Sequence, residues 1–149
     1  MQATSHRVLQ NLLTEVELHE IVSLVETSVA KNRLGDNQPV VRFSVHLSPE
    51  IKQTLLEKLG LDLSNVVNVP MRWIMGDTDT HIDTGAHNFE NTYLIYLTDS
   101  NGQFCIENEE YPISKNTGFV FNEGMSHKTI DTGIEPRLLL GPMDEMGMA

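Results

Sequence analysis

A chain of 149 residues, 40 % hydrophobic and 21 % charged, has the composition of a globular protein long enough to bury one core. Ten Lys+Arg against 21 Asp+Glu give a formal net charge of −11. That surface repels phosphate backbones and anionic membranes, so neither nucleic acid nor membrane is expected as a partner, and an anionic ligand needs a local positive group.

Cys105 is the only cysteine, so no internal disulfide forms. No apolar run reaches membrane-spanning length, and MQATSHRVLQ lacks the apolar region of a signal peptide, so a cytoplasmic protein is expected. Without repeats or a low-complexity linker, 1–149 reads as a single domain. Residues 1–61 read as a helical support with one strand, and 62–149 as a β core.

Thr14 and Glu17 have capping-box spacing, and Leu18, Ile21, Val22, Val25 and Val29 recur at helical spacing up to Gly35. One amphipathic helix is predicted there. PVVRFSVHL over 39–47 alternates as a strand. Ser48-Pro49 then opens a second helix through Ile51, Leu55, Leu56 and Leu59, and Gly60 stops it. Beyond Leu61, short strand-like segments at 66–75, 92–98, 103–107, 111–113, 118–121, 127–131 and 136–141 are separated by turns such as DSNG, KNTG and DTG. Many short strands at regular spacing predict a mainly β fold of the jelly-roll or small-barrel kind, with N-terminal helices packed on it.

The stretch GDTDTHIDTG over 76–85 carries the first chemical signal. On a strand, His81 and Asp83 project to one face, and imidazole with carboxylate suits a divalent transition metal. The same residues also fit a polar surface turn. A third ligand is available from His87, in the loop GAHNFEN, or from His127, which lies 44 residues beyond Asp83. An EF-hand calcium loop is excluded, because its sixth position is Ile82 and its twelfth Asn88. Asp77 and Asp79 read as solvated turn residues. Arg137 opens the apolar strand EPRLLLGP ten residues after His127; it suits either a surface ion pair or a carboxylate ligand.

HID at 81–83, NTYLIYLTD at 91–99, GFVFNEGMSH at 118–127 and Arg137 together resemble the 2-oxoglutarate/Fe(II)-dependent oxygenases, small prolyl-hydroxylase-like members in particular. The resemblance covers about 66–141. It implies a double-stranded β-helix, the barrel shared with cupins, and a catalytic Fe(II) held by His81, Asp83 and His127. It further implies 2-oxoglutarate as co-substrate, with Arg137 on its far carboxylate and Tyr96 assisting. O2 is consumed, succinate and CO2 are released, and a small-molecule or peptide substrate is hydroxylated. The sequence sets no oligomeric state.

Departures accompany the match. Leu139 stands where many members carry Ser or Thr, and the usual GG after the central strand is reduced to Asn101-Gly102. Cupins compete for the same residues through Gly124–His127, with Glu90 near their acidic position, but they need histidine where Asp83 stands and give Arg137 no task. Aspartyl-hydroxylase-like proteins resemble the FNEGMSH tail, but they place glycine at the Asp83 position. A metal-binding or non-enzymatic barrel is the alternative function. Arg72, Trp73, His87 and Phe89 lie near the ligands as candidate pocket residues, with Trp73 equally readable as core.

Overall fold

The computed structural model describes residues 6–82, 90–122 and 124–145. The chain runs β1 (His6–Gln10), α1 (Glu15–Val22), α2 (Val25–Lys31), β2 (Val40–Val45), α3 (Pro49–Leu59), β3 (Val69–Ile74) and β4 (Thr78–His81). It continues with β5 (Asn91–Tyr96), β6 (Gln103–Ile106), β7 (Glu109–Pro112), β8 (Thr117–Asn122), β9 (His127–Ile130) and β10 (Arg137–Met143). The strands form two antiparallel sheets, one of six strands in the order β1-β8-β5-β10-β3-β2 and one of four in the order β4-β9-β6-β7. This is a mainly β, jelly-roll type arrangement.

The six-stranded sheet is buried on both faces, and its side-chain alternation builds two core layers. Trp73, Tyr93, Ile95, Val120, Leu138 and Leu140 face one way and pack with Leu18, Ile21, Ile51 and Leu55 of the helices. Ile74, Leu94, Tyr96, Phe119, Phe121 and Leu139 face the other way and pack with Phe104 and Ile106 of the small sheet. This inter-sheet layer also carries the polar residues described below.

Local chemistry accounts for the helices. Thr14 closes a reciprocal capping box with Glu17 at the start of α1. Ser48 accepts from the backbone N–H of Ile51, Pro49 sits in the first turn of α3, and Gly60 ends it in the left-handed conformation at φ 72°.

The long first helix of the sequence reading is corrected: it is two short helices with a break at Ser23–Leu24. Leu24 is extended, and Thr27 Oγ1 donates to Ile21 O across the break. The change of phase turns Thr27 and Ala30 inward and leaves Val25 and Val29 exposed, though they belong to the predicted apolar stripe. Strand β1 was absent from the sequence reading. HRVLQ is short and its alternation incomplete, and it forms by pairing with β8. At the end of the Asn101-Gly102 turn, a side chain on Gly102 would collide with Ile130 O and Thr132, so glycine is required where the chain closes on β9.

Candidate functional site

Strands β4 and β9 carry the two histidines and pair so that His81 lies opposite His127. The ring centroids are 4.3 Å apart at 60°. His127 is buried, with Phe121 and Phe104 centroids 4.8 and 5.5 Å from its ring. Each imidazole is oriented by its own backbone: His81 Nδ1 lies 2.7 Å from Asp79 O, and His127 Nδ1 lies 3.3 Å from Met125 O. A carbonyl only accepts, so Nδ1 carries the proton, and in the neutral rings the lone pair is on Nε2. Backbone orientation of this kind is what metal-binding histidines use.

One strand step away, hydroxyls set the register. Thr78 N donates to Thr129 Oγ1 at 3.0 Å, and Thr129 N donates to Thr78 Oγ1 at 3.1 Å. Arg137 Nη2 also donates to Thr129 Oγ1, at 2.9 Å. Those two donors occupy both lone pairs of Thr129, so its own proton goes to Thr78 Oγ1, 2.9 Å away. This clasp ties the strands of both histidines to the arginine.

Arg137 opens β10 and is fully buried. Nη1 donates to Gly76 O at 2.8 Å, and the Tyr96 hydroxyl also bonds the guanidinium. Burial pulls its pKa below the ordinary arginine value, while Tyr96 and then Asp77 push it back up. Its Nε has no hydrogen-bond partner among the described residues. A buried guanidinium with an unused donor demands an anion.

His81, His127, Thr129, Tyr96, Arg137 and Arg72 line one narrow cavity between the sheets, walled by Ile74, Leu94 and Leu139. No carboxylate is among its described lining residues. Tyr96 and Arg72 flank Leu139 on opposite sides, each paired with it across the ladder.

No protein-family model and no curated protein sequence matches this chain. Solved structures do. A collagen prolyl hydroxylase from Paramecium bursaria Chlorella virus-1 aligns at a TM-score of 0.58 and 10% identity, over 91% of this chain and 87% of that one. The fold is that of the prolyl-hydroxylase-like 2-oxoglutarate/Fe(II) oxygenases. An oxidoreductase of the 2OG-Fe(II) oxygenase family from Burkholderia pseudomallei aligns at 0.55 and 13% identity, over 97% and 89% of the two chains. HygX from Streptomyces hygroscopicus, with nickel and 2-oxoglutarate bound, aligns at 0.56 and 14% identity, over 91% and 80%.

Of the residues singled out from the sequence, His81, His127, Arg137 and Tyr96 come together at this cavity. Asp83, His87 and Phe89 lie outside the described residues. Arg72 lines the cavity, but Trp73 does not: its neighbouring position on β3 turns it to the helix side, where Nε1 donates to Thr27 O at 2.9 Å. Glu90 is exposed and does not line the cavity. Asp77 is exposed, as a turn residue should be, yet its carboxylate accepts from Thr132 N and Oγ1 at 2.8 and 2.7 Å. Thr78 and Thr129 were missed. Their one sequence signal is two-residue spacing, Thr129 after His127 and Thr78 two before Thr80, and threonine in strands is too common for that to stand out. Among the described residues no helix is long and apolar enough to cross a membrane.

Proposed function

We propose that this chain is an Fe(II)- and 2-oxoglutarate-dependent oxygenase that hydroxylates a small-molecule or peptide substrate. In this reading 1–149 is one domain, with 62–149 as a double-stranded β-helix on a support formed by 1–61. The observation that carries the reading is the buried Arg137, held in one cavity with a facing histidine pair.

The donor set fits the group. Two imidazoles whose Nδ1 atoms are engaged by backbone carbonyls offer Nε2 to a metal, and Asp83, two residues beyond His81, supplies the carboxylate of a two-histidine triad. The unsatisfied Nε of Arg137 fits a carboxylate deep in the cavity. Iron with 2-oxoglutarate and O2 supplies the oxidising chemistry, releasing succinate and CO2 as a C–H bond of the substrate becomes C–OH.

The protein's part is binding and exclusion. Arg137 and Tyr96 take the far carboxylate and fix the length and direction in which the oxo acid enters. Leu139, in place of a hydroxyl residue, leaves that contact to Tyr96 on the neighbouring strand. Leu94, Ile74 and Leu139 line the path with apolar surface, and Phe104 and Phe121 pack against the His127 ring, so the reacting end is shielded from water.

The test adds Fe(II) and 2-oxoglutarate anaerobically, reads the weak visible charge-transfer absorption of the chelate, and then measures succinate in air. Absorption with succinate is expected. Metal binding without absorption would point to a cupin-like metal protein, and neither signal to a non-enzymatic barrel.

A further inference from the structure

We infer that the chain pairs with a second copy of itself through the open edge of β2, in an antiparallel two-fold contact centred on Phe43. The inference is independent of the oxygenase reading, because no residue of β2 or α2 lines the inter-sheet cavity.

Strand β2 ends the six-stranded sheet and pairs only with β3 among the described strands. Its outward N–H and C=O groups are a template for one more strand. The edge strands of the small sheet are guarded by charge and proline: β7 carries Glu109, Glu110 and Pro112, and β4 carries Asp79. Beside β2 the surface is apolar instead. Helix α2 packs on this strand, and Val25, Val29 and half-buried Phe43 line one shallow groove with Glu26, Arg33 and Ser44. Val25 and Val29 are 74 % and 48 % exposed, so the break before α2 sets two large apolar side chains in solvent next to an unpaired edge.

The groove is complementary to itself, which selects a second copy as its occupant. Glu26 and Arg33 border it with opposite charge, stand two helical turns apart in sequence, and form no ion pair among the described residues. A two-fold axis normal to the sheet runs the two α2 helices antiparallel, so Glu26 of each copy faces Arg33 of the other and the valines meet across the axis. Such an axis pairs residues of one sheet face, so it falls on one of the central residues, Arg42 or Phe43. Centring on Arg42 sets two guanidiniums against each other. Centring on Phe43 sets Arg42 opposite Ser44 and ring against ring. Each copy carries a net −11, yet here Lys31, Arg33 and Arg42 outnumber Glu26 on α2, its C-terminal turn and β2, so the repulsion between copies is relieved at this edge. Exposed ion pairs contribute at most about 1 kcal/mol each, so they fix the register while backbone bonds and apolar contact hold the pair.

The experiment is sedimentation equilibrium of the full chain across the micromolar range. Wild type is expected to dimerise, and Val29→Glu should weaken the dimer at least about tenfold without changing the far-UV spectrum, since Val29 already faces solvent. Glu26→Arg and Arg33→Glu should each weaken it at least about threefold, and the two together should restore it. Phe43→Cys, in a Cys105→Ser background, should cross-link to its own counterpart on mild oxidation, because the axis sets the two positions directly opposite. A wild-type chain that stays monomeric overturns the inference. So does a dimer indifferent to Val29→Glu, which would lie on another face, or a double reversal no better than either single one. A Phe43→Cys chain that dimerises without cross-linking overturns the Phe43-centred contact.

Discussion

Arg137 and Thr129 are joined by a 2.9 Å hydrogen bond from Nη2 to Oγ1, and Thr129 sits two residues beyond His127 on the same strand. The same hydroxyl receives Thr78 N–H, three residues before His81. A single oxygen therefore links the arginine to the strands of both histidines, while Gly76 O and the Tyr96 hydroxyl hold the rest of the guanidinium. The two ends of the cavity are mechanically one unit.

Removal of that oxygen should disturb both ends together. Thr129→Val keeps the shape but strands a buried guanidinium donor and a backbone N–H, at about 1–3 kcal/mol each. Denaturant titration should show a loss of that order, and the affinities for Ni(II) and for 2-oxoglutarate should both fall. Thr129→Ser keeps the acceptor and should restore most of each. A variant that unfolds earlier yet binds both ligands as wild type would show the clasp to be scaffold alone.

Arg137→Gln should raise the 2-oxoglutarate requirement by about 10- to 100-fold, the worth of one or two charge-assisted bonds. The informative comparison is 2-oxobutanoate, which lacks the far carboxylate. Wild type should prefer 2-oxoglutarate strongly, and the variant should prefer neither. Equal loss for both acids would mean that the arginine supports the fold and not the far carboxylate. Tyr96→Phe should move the same ratio in the same direction, by less.

His81→Ala and Asp83→Ala should each abolish 2-oxoglutarate decarboxylation and weaken Ni(II) binding, because a facial set with one member missing loses its chelation. His127→Ala should do the same and also loosen the core, since its ring packs on Phe104 and Phe121. Decarboxylation at the wild-type rate in the Asp83 variant would remove Asp83 from the ligand set.

The inter-sheet layer was partly legible in sequence, and the reason is alternation. In the run RLLLGPM of β10 every position but the first is apolar because both faces of the sheet are buried, so Arg137 stood out as a charge opening that run, whereas Tyr96 was picked out by the family resemblance alone. Trp73 and Arg72 could not be sorted the same way. They are adjacent on β3, and only strand register shows that Trp73 turns to the helices, where Lys31 Nζ also lies 5.1 Å from its ring. The break between α1 and α2 was hidden because Val25 and Val29 continue the helical apolar spacing by coincidence while facing solvent. The threonine clasp was hidden because it depends on which residues of β4 and β9 oppose each other, a tertiary fact.

Asp77 offers a last test, in which pH gives the sign. Its carboxylate accepts the Thr132 N–H and then the Thr132 hydroxyl, and these bonds hold its pKa below the usual aspartate range, with Arg137 adding a little in the same direction. A group whose pKa is depressed on folding stabilises the fold fully above its unfolded value, near pH 4, and loses that contribution as pH falls through the folded value. Asp77→Asn keeps an acceptor for Thr132 but has no charge to titrate. Wild type should therefore be more stable than the variant at pH 7, and the two melting temperatures should converge as the pH drops below about 4. Convergence on raising the pH instead would reverse the sign and show that the folded protein favours the protonated acid.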